Sequence, residues 1–132
     1  MEKMKIGQLA KEANVNLETI RYYERRGLVP APPRNTSGHR IYARDALKRV
    51  EFIKRSQALG FSLKEIADLL SLRVEPGTTC GDIKARVEAK IIDIEQRITD
   101  LEKMKAALLR MSGKCVDQGP VGQCPILEAL YR

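Results

Sequence analysis

The chain has three cysteines, and their positions suggest a site for a soft metal ion. Cys80 precedes a long helical pattern, and Cys115 and Cys124 flank a polar loop that contains Gly119 and Pro120. The thiolate is the form of cysteine that binds metals, and soft sulfur ligands favour soft cations over Mg²⁺ or Ca²⁺. A single cysteine is often a small core residue, but three at helix ends and in a polar loop are less easily explained as packing. An odd number of cysteines, with nothing else that indicates secretion, argues against a disulfide framework.

The segment between Cys80 and Cys115 predicts one long amphipathic helix, from residue 81 to residue 111. Its apolar residues recur at intervals of three or four, which is typical of a coiled-coil seam: Ile83, Val87, Ile91, Ile94, Ile98, Leu101 and Leu108. At 1.5 Å per residue, such a helix would separate Cys80 from Cys115 by about 45 Å. One subunit therefore cannot bring the three thiols together. An antiparallel partner would place Cys80 beside the other subunit's two remaining cysteines, which predicts two three-thiolate sites per homodimer.

Length and charge set the broad class of protein. The 132 residues allow one compact domain and a long helix, and no apolar run is long enough to span a membrane, so we expect a soluble, cytoplasmic protein. The net charge of +7 is uneven: residues 1–75 hold 15 Lys and Arg against 9 Asp and Glu, a net of +6, and residues 76–132 hold 9 against 8. The basic half is therefore expected to bind a polyanion.

Two short helices at the start of the basic half predict a helix-turn-helix. The first runs from Lys5 to Ala13 and the second from Leu17 to Arg26, with Asn16 as its N-cap and Gly27 ending it. Hydroxyl and guanidinium groups on the second helix suit phosphate oxygens and base edges; they belong to Thr19, Arg21, Tyr22, Tyr23, Arg25 and Arg26. The alternative is a solvated basic face with half-packed tyrosines.

A wing is predicted after the second helix. Residues 30–38 are rich in Pro, Asn, Ser and Gly, and the run His39-Arg40-Ile41-Tyr42 has the character of a short strand. Arg34, His39 and Arg40 at its tip would reach a phosphate backbone or a minor groove. His39 is the only histidine and lies far from the cysteines in sequence, so we interpret it as a surface residue rather than a metal ligand.

Two further helices, at about residues 43–59 and 63–72, complete the basic half. Ser62 and Glu65 have the spacing of a capping box. Apolar residues of this region are assigned to the core: Val50, Ile53, Phe61, Leu63, Ile66, Leu69 and Leu70. Additional phosphate contacts are expected from Lys48, Arg49, Lys54 and Arg55. The sequence Glu75-Pro76-Gly77 then breaks the chain before Cys80.

Five stretches resemble motifs of the MerR family of bacterial transcription regulators. They are Ile6-Gly7-Gln8-Leu9-Ala10, Glu18-Thr19-Ile20-Arg21-Tyr22-Tyr23-Glu24, Gly27-Leu28, Arg40-Ile41-Tyr42 and Leu59-Gly60-Phe61-Ser62-Leu63-Lys64-Glu65-Ile66. The resemblance implies a mainly α-helical fold. A winged helix-turn-helix DNA-binding domain would occupy residues 1–75, and residues 76–132 would form a long antiparallel coiled-coil dimerisation helix and a short C-terminal metal-binding loop.

The resemblance also implies a homodimer that binds double-stranded promoter DNA. It would bend and untwist an overlong promoter spacer and let RNA polymerase initiate when an effector binds. The matching positions give Thr19, Arg21 and Tyr22 on the recognition helix and Arg40 on the wing as DNA contacts. Tyr42 and Arg55 are weaker candidates.

The proposed metal ligands are Cys80, Cys115 and Cys124. Cys80, Cys115 and the terminal Cys124-Pro125-Ile126-Leu127 resemble the mercury-responsive branch of the family, which implies Hg(II) as effector and mercury resistance genes as targets. Ligand chemistry leaves Pb(II) and Cd(II) open, because three soft thiolates suit either ion. Zn(II) prefers four ligands and would need water or a carboxylate such as Asp82 or Asp117.

Other functions fit the sequence less well. A metal-sequestering protein would explain the thiols but leave the basic helix-turn-helix unused. A drug-sensing regulator usually carries a larger ligand domain than the 52 residues that follow Cys80. We do not expect an enzyme, because a nucleophilic cysteine needs a neighbouring base and no histidine lies near a cysteine in sequence.

Overall fold

The structure is a computed structural model that describes residues 3–115 and 117–132. Its elements are β1 (Lys3–Met4), α1 (Ile6–Ala13), α2 (Leu17–Arg25), β2 (Tyr42–Ala43), α3 (Arg44–Ala58), α4 (Leu63–Val74), α5 (Cys80–Ser112) and α6 (Pro125–Tyr131). The fold is mainly helical, as predicted. The chain divides into two compact units, one ending at Lys84 and the other running from Ala85 to Arg132. Among the described residues, no helix is long and apolar enough to cross a membrane.

Helices α1 and α2 form the predicted helix-turn-helix, and two asparagines shape the turn. Asn14 ends α1 with a left-handed backbone (φ 56°), which asparagine adopts more readily than most residues. Asn16 caps α2, and its side-chain oxygen accepts a hydrogen bond from the N–H of Thr19 at 2.8 Å. Gly27 follows α2 with φ +74°, a conformation that costs glycine little. The sequence therefore predicted the turn correctly and the outer ends of the motif to within one residue.

The apolar core of the first unit lies between the four short helices and β2. Its largest fully buried side chains are Leu9, Ile20, Leu28, Val29, Tyr42, Val50, Ile53 and Ile66. Leu69 and Leu70 are also buried, as predicted, whereas Phe61 and Leu63 are only partly buried. The apolar periodicity of the sequence thus identified most of the helical core.

The strand pairing differs from the prediction. The sequence predicted a strand over residues 39–42 as part of the wing, but β2 begins at Tyr42 and pairs antiparallel with the N-terminal strand β1, with Met4 opposite Tyr42. The wing's own pairing is an isolated bridge between Arg34 and Arg40. Met4 and Tyr42 are 3% and 1% exposed, so burial of this cross-strand pair favours the observed pairing.

Polar groups fix the ends of the helices in the first unit. At the start of α4, Glu65 donates its N–H to Ser62 Oγ at 3.1 Å, and Ser62 donates its N–H to Glu65 Oε1 at 2.8 Å. This is the predicted capping box. On α3, Lys54 donates from Nζ to the carbonyl oxygen of Ala13 at 2.8 Å. A cation there stabilises the C-terminal end of α1, where the helix dipole is negative.

The long helix α5 has 33 residues, one more at each end than predicted. The apolar seam of its second-unit part is exposed in the single chain. Val87, Ile91, Ile94, Ile98, Leu101 and Leu108 are each between 37% and 62% exposed.

The C-terminal region contains a short helix where the sequence predicted only a loop. After a 3₁₀ turn at Val121–Gln123, α6 begins at Pro125, and Cys124 is its N-cap residue. Proline suits the first helical position because the N–H that it lacks would have no partner within the helix. Leu127 and Leu130 on α6 remain exposed.

Candidate nucleic-acid interface and thiol ligands

The outward face of α2 carries the residues predicted to contact DNA. Ile20 and Tyr23 are buried in the core, whereas Thr19 is half-buried and the side chain of Arg21 is 54% exposed. The Thr19 hydroxyl donates to Asn16 Oδ1 at 2.9 Å. Because a hydroxyl oxygen can also accept, it remains able to pair with a base edge. The helix therefore presents polar groups outward from a fixed apolar face.

Tyr22 contacts two arginines at the end of α2, Arg25 in its last turn and Arg26 at its C-cap. The guanidinium carbons of Arg25 and Arg26 are each 5.9 Å from the centre of the Tyr22 ring, and Arg26 Nη1 donates to the Tyr22 hydroxyl at 3.4 Å. Cation–π contacts of this kind stabilise modestly at exposed sites. Tyr22 is 39% exposed. The result is a partly ordered cluster of one hydroxyl and two guanidinium groups, which suits phosphate oxygens.

The wing is held by its own side chains. Arg34 Nη1 donates to the carbonyl oxygen of Gly38 at 2.9 Å, and Arg40 Nη1 donates to the carbonyl oxygen of Pro32. The side-chain oxygen of Asn35 accepts from the N–H of His39 at 3.0 Å. A guanidinium has five N–H donors. The arginines can therefore brace the loop and still offer donors to a phosphate.

A cleft of about 790 Å³ lies between the N-terminal segment, α2 and the wing. Five Lys and Arg side chains line it, together with His39 and the carboxylate of Glu24: Lys3, Lys5, Arg21, Arg34 and Arg40. Such a concentration of positive charge attracts a phosphodiester backbone. The structure thus brings Arg21 and Arg40, which lie on different elements, to the same cleft.

Tyr42 lines the same cleft as Arg21 and Arg40 but, unlike the other predicted DNA contacts, is almost completely buried. It is buried, and its hydroxyl donates to Glu24 Oε2 at 2.6 Å. Burial, and then the hydrogen bond and negative charge of Glu24, raise the pKa of Tyr42 well above its usual value; the positive charges of Arg40 and Arg21 oppose this. The phenol therefore stays protonated and acts as a donor to α2.

Arg55 lies on another basic surface. It is exposed and lines a recess of about 380 Å³ with Lys48 and Arg73, above Phe52 and Leu70. Of the other cations suggested as phosphate contacts, Arg49 donates from Nε to the carbonyl oxygen of Leu28, and Lys54 binds the end of α1. Both of these side chains therefore brace the first unit, and Arg55 and Lys48 remain the outward-facing pair.

The three cysteines are free thiols. Cys80 is the first residue of α5 and is exposed; Cys115 is exposed and follows the end of α5 by three residues; Cys124 is half-buried at the start of α6. Within the described part of this one chain, no group of three or more His, Cys, Asp or Glu side chains is arranged to hold a metal ion. The donor chemistry of the three thiols fits a soft cation.

Two acidic residues of α2, Glu18 and Glu24, form contacts that were not predicted. Glu18 Oε1 accepts from Arg21 Nη1 at 3.2 Å on the exposed face, and Glu24 is the acceptor for Tyr42. The i,i+3 spacing of Glu18 and Arg21 is a sequence signal for the first contact. The second contact joins residues 18 positions apart, and no local pattern indicates it.

Comparison with known proteins places these features in context. The family model described as "MerR HTH family regulatory protein" matches residues 4–72, and the one described as "MerR, DNA binding" matches residues 47–111. The mercuric resistance operon regulatory protein of Bacillus cereus is 41% identical, over 98% of each chain.

Two solved structures also resemble the chain. The transcription regulator PbrR691 from Ralstonia metallidurans CH34, in complex with lead(II), has a TM-score of 0.84 and 35% identity and covers 96% of this chain and 98% of its own. MerR from Bacillus megaterium MB1, in complex with mercury(II), has a TM-score of 0.73 and 36% identity, over 98% and 100%. Regulators solved with two different metals are therefore about equally similar in sequence.

Proposed function

Because the chain belongs to the MerR family of DNA-binding transcription regulators, we propose that it is a metal-responsive regulator of heavy-metal resistance genes. It binds promoter DNA as a homodimer in the cytoplasm and activates transcription by RNA polymerase when Hg(II) is bound. Residues 1–75 bind DNA, and residues 76–132 provide the dimer contact and the metal ligands. The family is one of regulators, so no enzymatic role is assigned.

The observation that carries this proposal is that the thiols lie at or beyond the two ends of α5. Cys80 begins the helix, and Cys115 and Cys124 follow its end. A straight helix of 33 residues is about 50 Å long. Antiparallel pairing of two such helices puts the start of one beside the end of the other, so Cys80 meets the other subunit's Cys115 and Cys124. Each dimer then has two sites with three sulfurs each.

The apolar seam of α5 supports the pairing. The six large apolar side chains of the seam from Val87 to Leu108 are at least a third exposed, and they follow each other at intervals of three and four, or of seven where Lys105 interrupts the row. A continuous apolar stripe of this kind is unfavourable in water and is normally covered by another helix. A second copy of the chain supplies an identical stripe, so pairing removes the apolar residues of both chains from water.

Three thiols indicate a soft metal ion but do not distinguish one soft metal from another. Three thiolates suit Hg(II), Pb(II) and Cd(II), and the similar structures solved with lead and with mercury support two of these. Zn(II) would need a fourth ligand. One carboxylate considered for that place, Asp82, accepts from both the N–H and the hydroxyl of Thr79, at 2.9 and 3.3 Å. Asp82 thus already serves as a helix cap through Oδ2. We take Hg(II) first because of the C-terminal Cys124-Pro125 motif.

Metal binding can affect DNA binding because each proposed site takes its thiols from both subunits. A metal held by thiolates of two subunits links them, and so favours one arrangement of the dimer over another. By linkage, the metal can shift the equilibrium between the two dimer arrangements only by as much as its affinity differs between them. In the dimer, Arg21 and Arg40 of each subunit hold the DNA backbone. A change in their spacing between subunits would bend or untwist the spacer, which then becomes usable by RNA polymerase.

Competitive metal binding tests the proposal. The purified, reduced protein would be offered Hg(II), Pb(II), Cd(II) and Zn(II) with excess competing thiol, and metal content and thiolate-to-metal absorption would be measured. Retention of Hg(II) alone, up to two per dimer, is the expected result. Preferential retention of Pb(II) or Cd(II) would keep the architecture and change the effector.

Two other results would reject the proposal. If the protein retains no metal, the cysteines have a structural role and are not metal ligands. Retention of metal without binding to any promoter fragment would favour a metal-sequestering protein, which the basic cleft around Arg21 and Arg40 argues against.

A further inference from the structure

One hydrogen bond joins the recognition helix to the strand that follows the wing. Tyr42 is the first residue of β2, is 1% exposed, and donates its hydroxyl to Glu24 Oε2 at 2.6 Å. Glu24 lies in the last turn of α2 and is half-buried. A short hydrogen bond from a neutral donor to a carboxylate is stronger than a typical bond between neutral groups.

The two elements that this bond connects hold different cations of the same cleft. Arg21 lies one turn before Glu24 on α2, and Arg40 lies two residues before Tyr42 in the wing; both line the cleft of about 790 Å³. Both guanidinium charges also act on the Tyr42 hydroxyl, since each favours its ionised form. The Tyr42–Glu24 pair therefore lies within electrostatic range of both arginines.

The Tyr42–Glu24 bond lies at the far end of the segment between α2 and β2. This segment contains Pro30, Pro32 and Pro33 and no helix, and the bonds described above for Arg34, Asn35 and Arg40 are internal to it. Those bonds hold the wing together but do not join it to α2. At the near end of the segment, Leu28 donates its N–H to the carbonyl oxygen of Tyr23 at 2.9 Å and is buried in the core. The Tyr42 hydroxyl joins the far end to α2, because Tyr42 is buried in the core and its hydroxyl is bonded to Glu24.

We propose that Tyr42 and Glu24 are positioning residues that set the spacing between Arg21 and Arg40, and so the selectivity of the protein for its own DNA sequence. Tyr42 acts through Glu24 and not by touching DNA, which distinguishes it from Thr19, Arg21, Tyr22 and Arg40. Contacts to phosphates fix the register of a protein on a duplex. Loss of the correct spacing should therefore weaken binding to a specific site more than binding to random DNA. The inference rests on the proposed function only in requiring sequence-specific DNA binding.

The test compares Tyr42→Phe with a matched control in the full-length protein. Tyr23→Phe removes an equivalent buried hydroxyl, which donates to Gln57 Oε1 on α3 at 2.6 Å and does not involve the wing. The probe is a duplex of about 30 bp that the wild-type protein enriches from a random pool, a length near that of known specific sites, and a scrambled duplex is the competitor. Dissociation constants for both are measured at one salt concentration, with thermal unfolding to correct for the folded fraction.

We expect Tyr42→Phe to lower the ratio of specific to non-specific affinity by about tenfold, the size of one misplaced contact, and to leave non-specific affinity within about twofold. Tyr23→Phe should leave the ratio unchanged even if it lowers stability. An unchanged ratio in Tyr42→Phe would overturn the inference, and so would an equal fall in both variants, since that would indicate a general loss of packing.

A double-mutant cycle provides the second test. Glu24→Ala should lower the ratio about as much as Tyr42→Phe, and the double variant should be no worse than either single one, because both changes remove the same bond. Fully additive effects would show that the two residues act separately and would reject the pairing. If the wild-type protein enriches no sequence from the pool, the proposed function itself fails, which is a different result from a variant that keeps the wild-type ratio.

Discussion

Thr79 and Asp82 cap the start of α5 reciprocally. Thr79 donates its N–H to Asp82 Oδ2 at 2.9 Å, and Asp82 donates its N–H to Thr79 Oγ1 at 3.4 Å. The spacing is that of a capping box with aspartate in place of glutamate. Cys80 lies between these residues. The backbone of this proposed ligand is therefore held by the cap, whereas its thiol is exposed.

Asp82→Ala should loosen the start of α5. Loss of an N-terminal cap contact costs about 1 kcal/mol of helix stability. We expect faster amide exchange at residues 80–84 and weaker metal binding, because the first thiol is then less well positioned. Asp100→Ala is the control: it removes a side-chain contact with Gln96 within α5 (3.1 Å) and leaves the cap intact. Equal exchange at residues 80–84 in both variants would show that the cap does not order this turn.

Ile98→Lys should prevent dimer formation. Ile98 is on the apolar seam and 50% exposed in the single chain, and a charge there would be buried without a partner in the paired helices. Ile92→Lys is the matched control, since Ile92 is 68% exposed and lies off the seam. Sedimentation velocity at micromolar concentration should give a monomer for the first variant and a dimer for the second. If both variants are dimers, the dimer contact lies on another face of α5.

Subunit mixing tests whether each metal site is shared. Cys80→Ser and Cys115→Ser homodimers should each lack a complete site. A heterodimer of the two has both substitutions in one site and three intact thiols in the other, so tight metal binding should return at one ion per heterodimer. Mixing two differently tagged Cys80→Ser populations provides the control and should restore nothing. If the heterodimer also binds no metal tightly, the three thiols do not meet across the interface.

Arg21→Ala should weaken DNA binding without affecting the metal site. The side chain of Arg21 is largely exposed and pairs only with Glu18 in the contacts described, so its removal should hardly change stability. Loss of one phosphate contact lowers the slope of log affinity against log salt by about one. Arg97→Ala is the control, because Arg97 forms a similar exposed pair with Asp93 on α5 at 3.3 Å. A loss of bound metal in Arg21→Ala would indicate that Arg21 supports the fold instead.

The sequence determined the features that depend on neighbouring residues along the chain. Asn16, Gly27 and the Ser62–Glu65 pair fixed helix ends within one or two residues, because caps act over a single turn. The seam of α5 was predictable because its period is a property of one helix. The cysteines could be identified as candidate ligands for a soft metal from their residue type alone. The Thr79–Asp82 cap has a local signal too, the i,i+3 spacing of a capping box.

The tertiary structure decided what depends on residues far apart in sequence. The pairing of Met4 with Tyr42, the burial of Tyr42 and its bond to Glu24 follow from which side chains fill the core beside α2. The same is true of Lys54, which looked like a phosphate contact and instead binds the end of α1. A basic or aromatic residue has the same appearance in sequence whether it faces solvent or a carbonyl oxygen. Only the packed core determines which of these environments it meets.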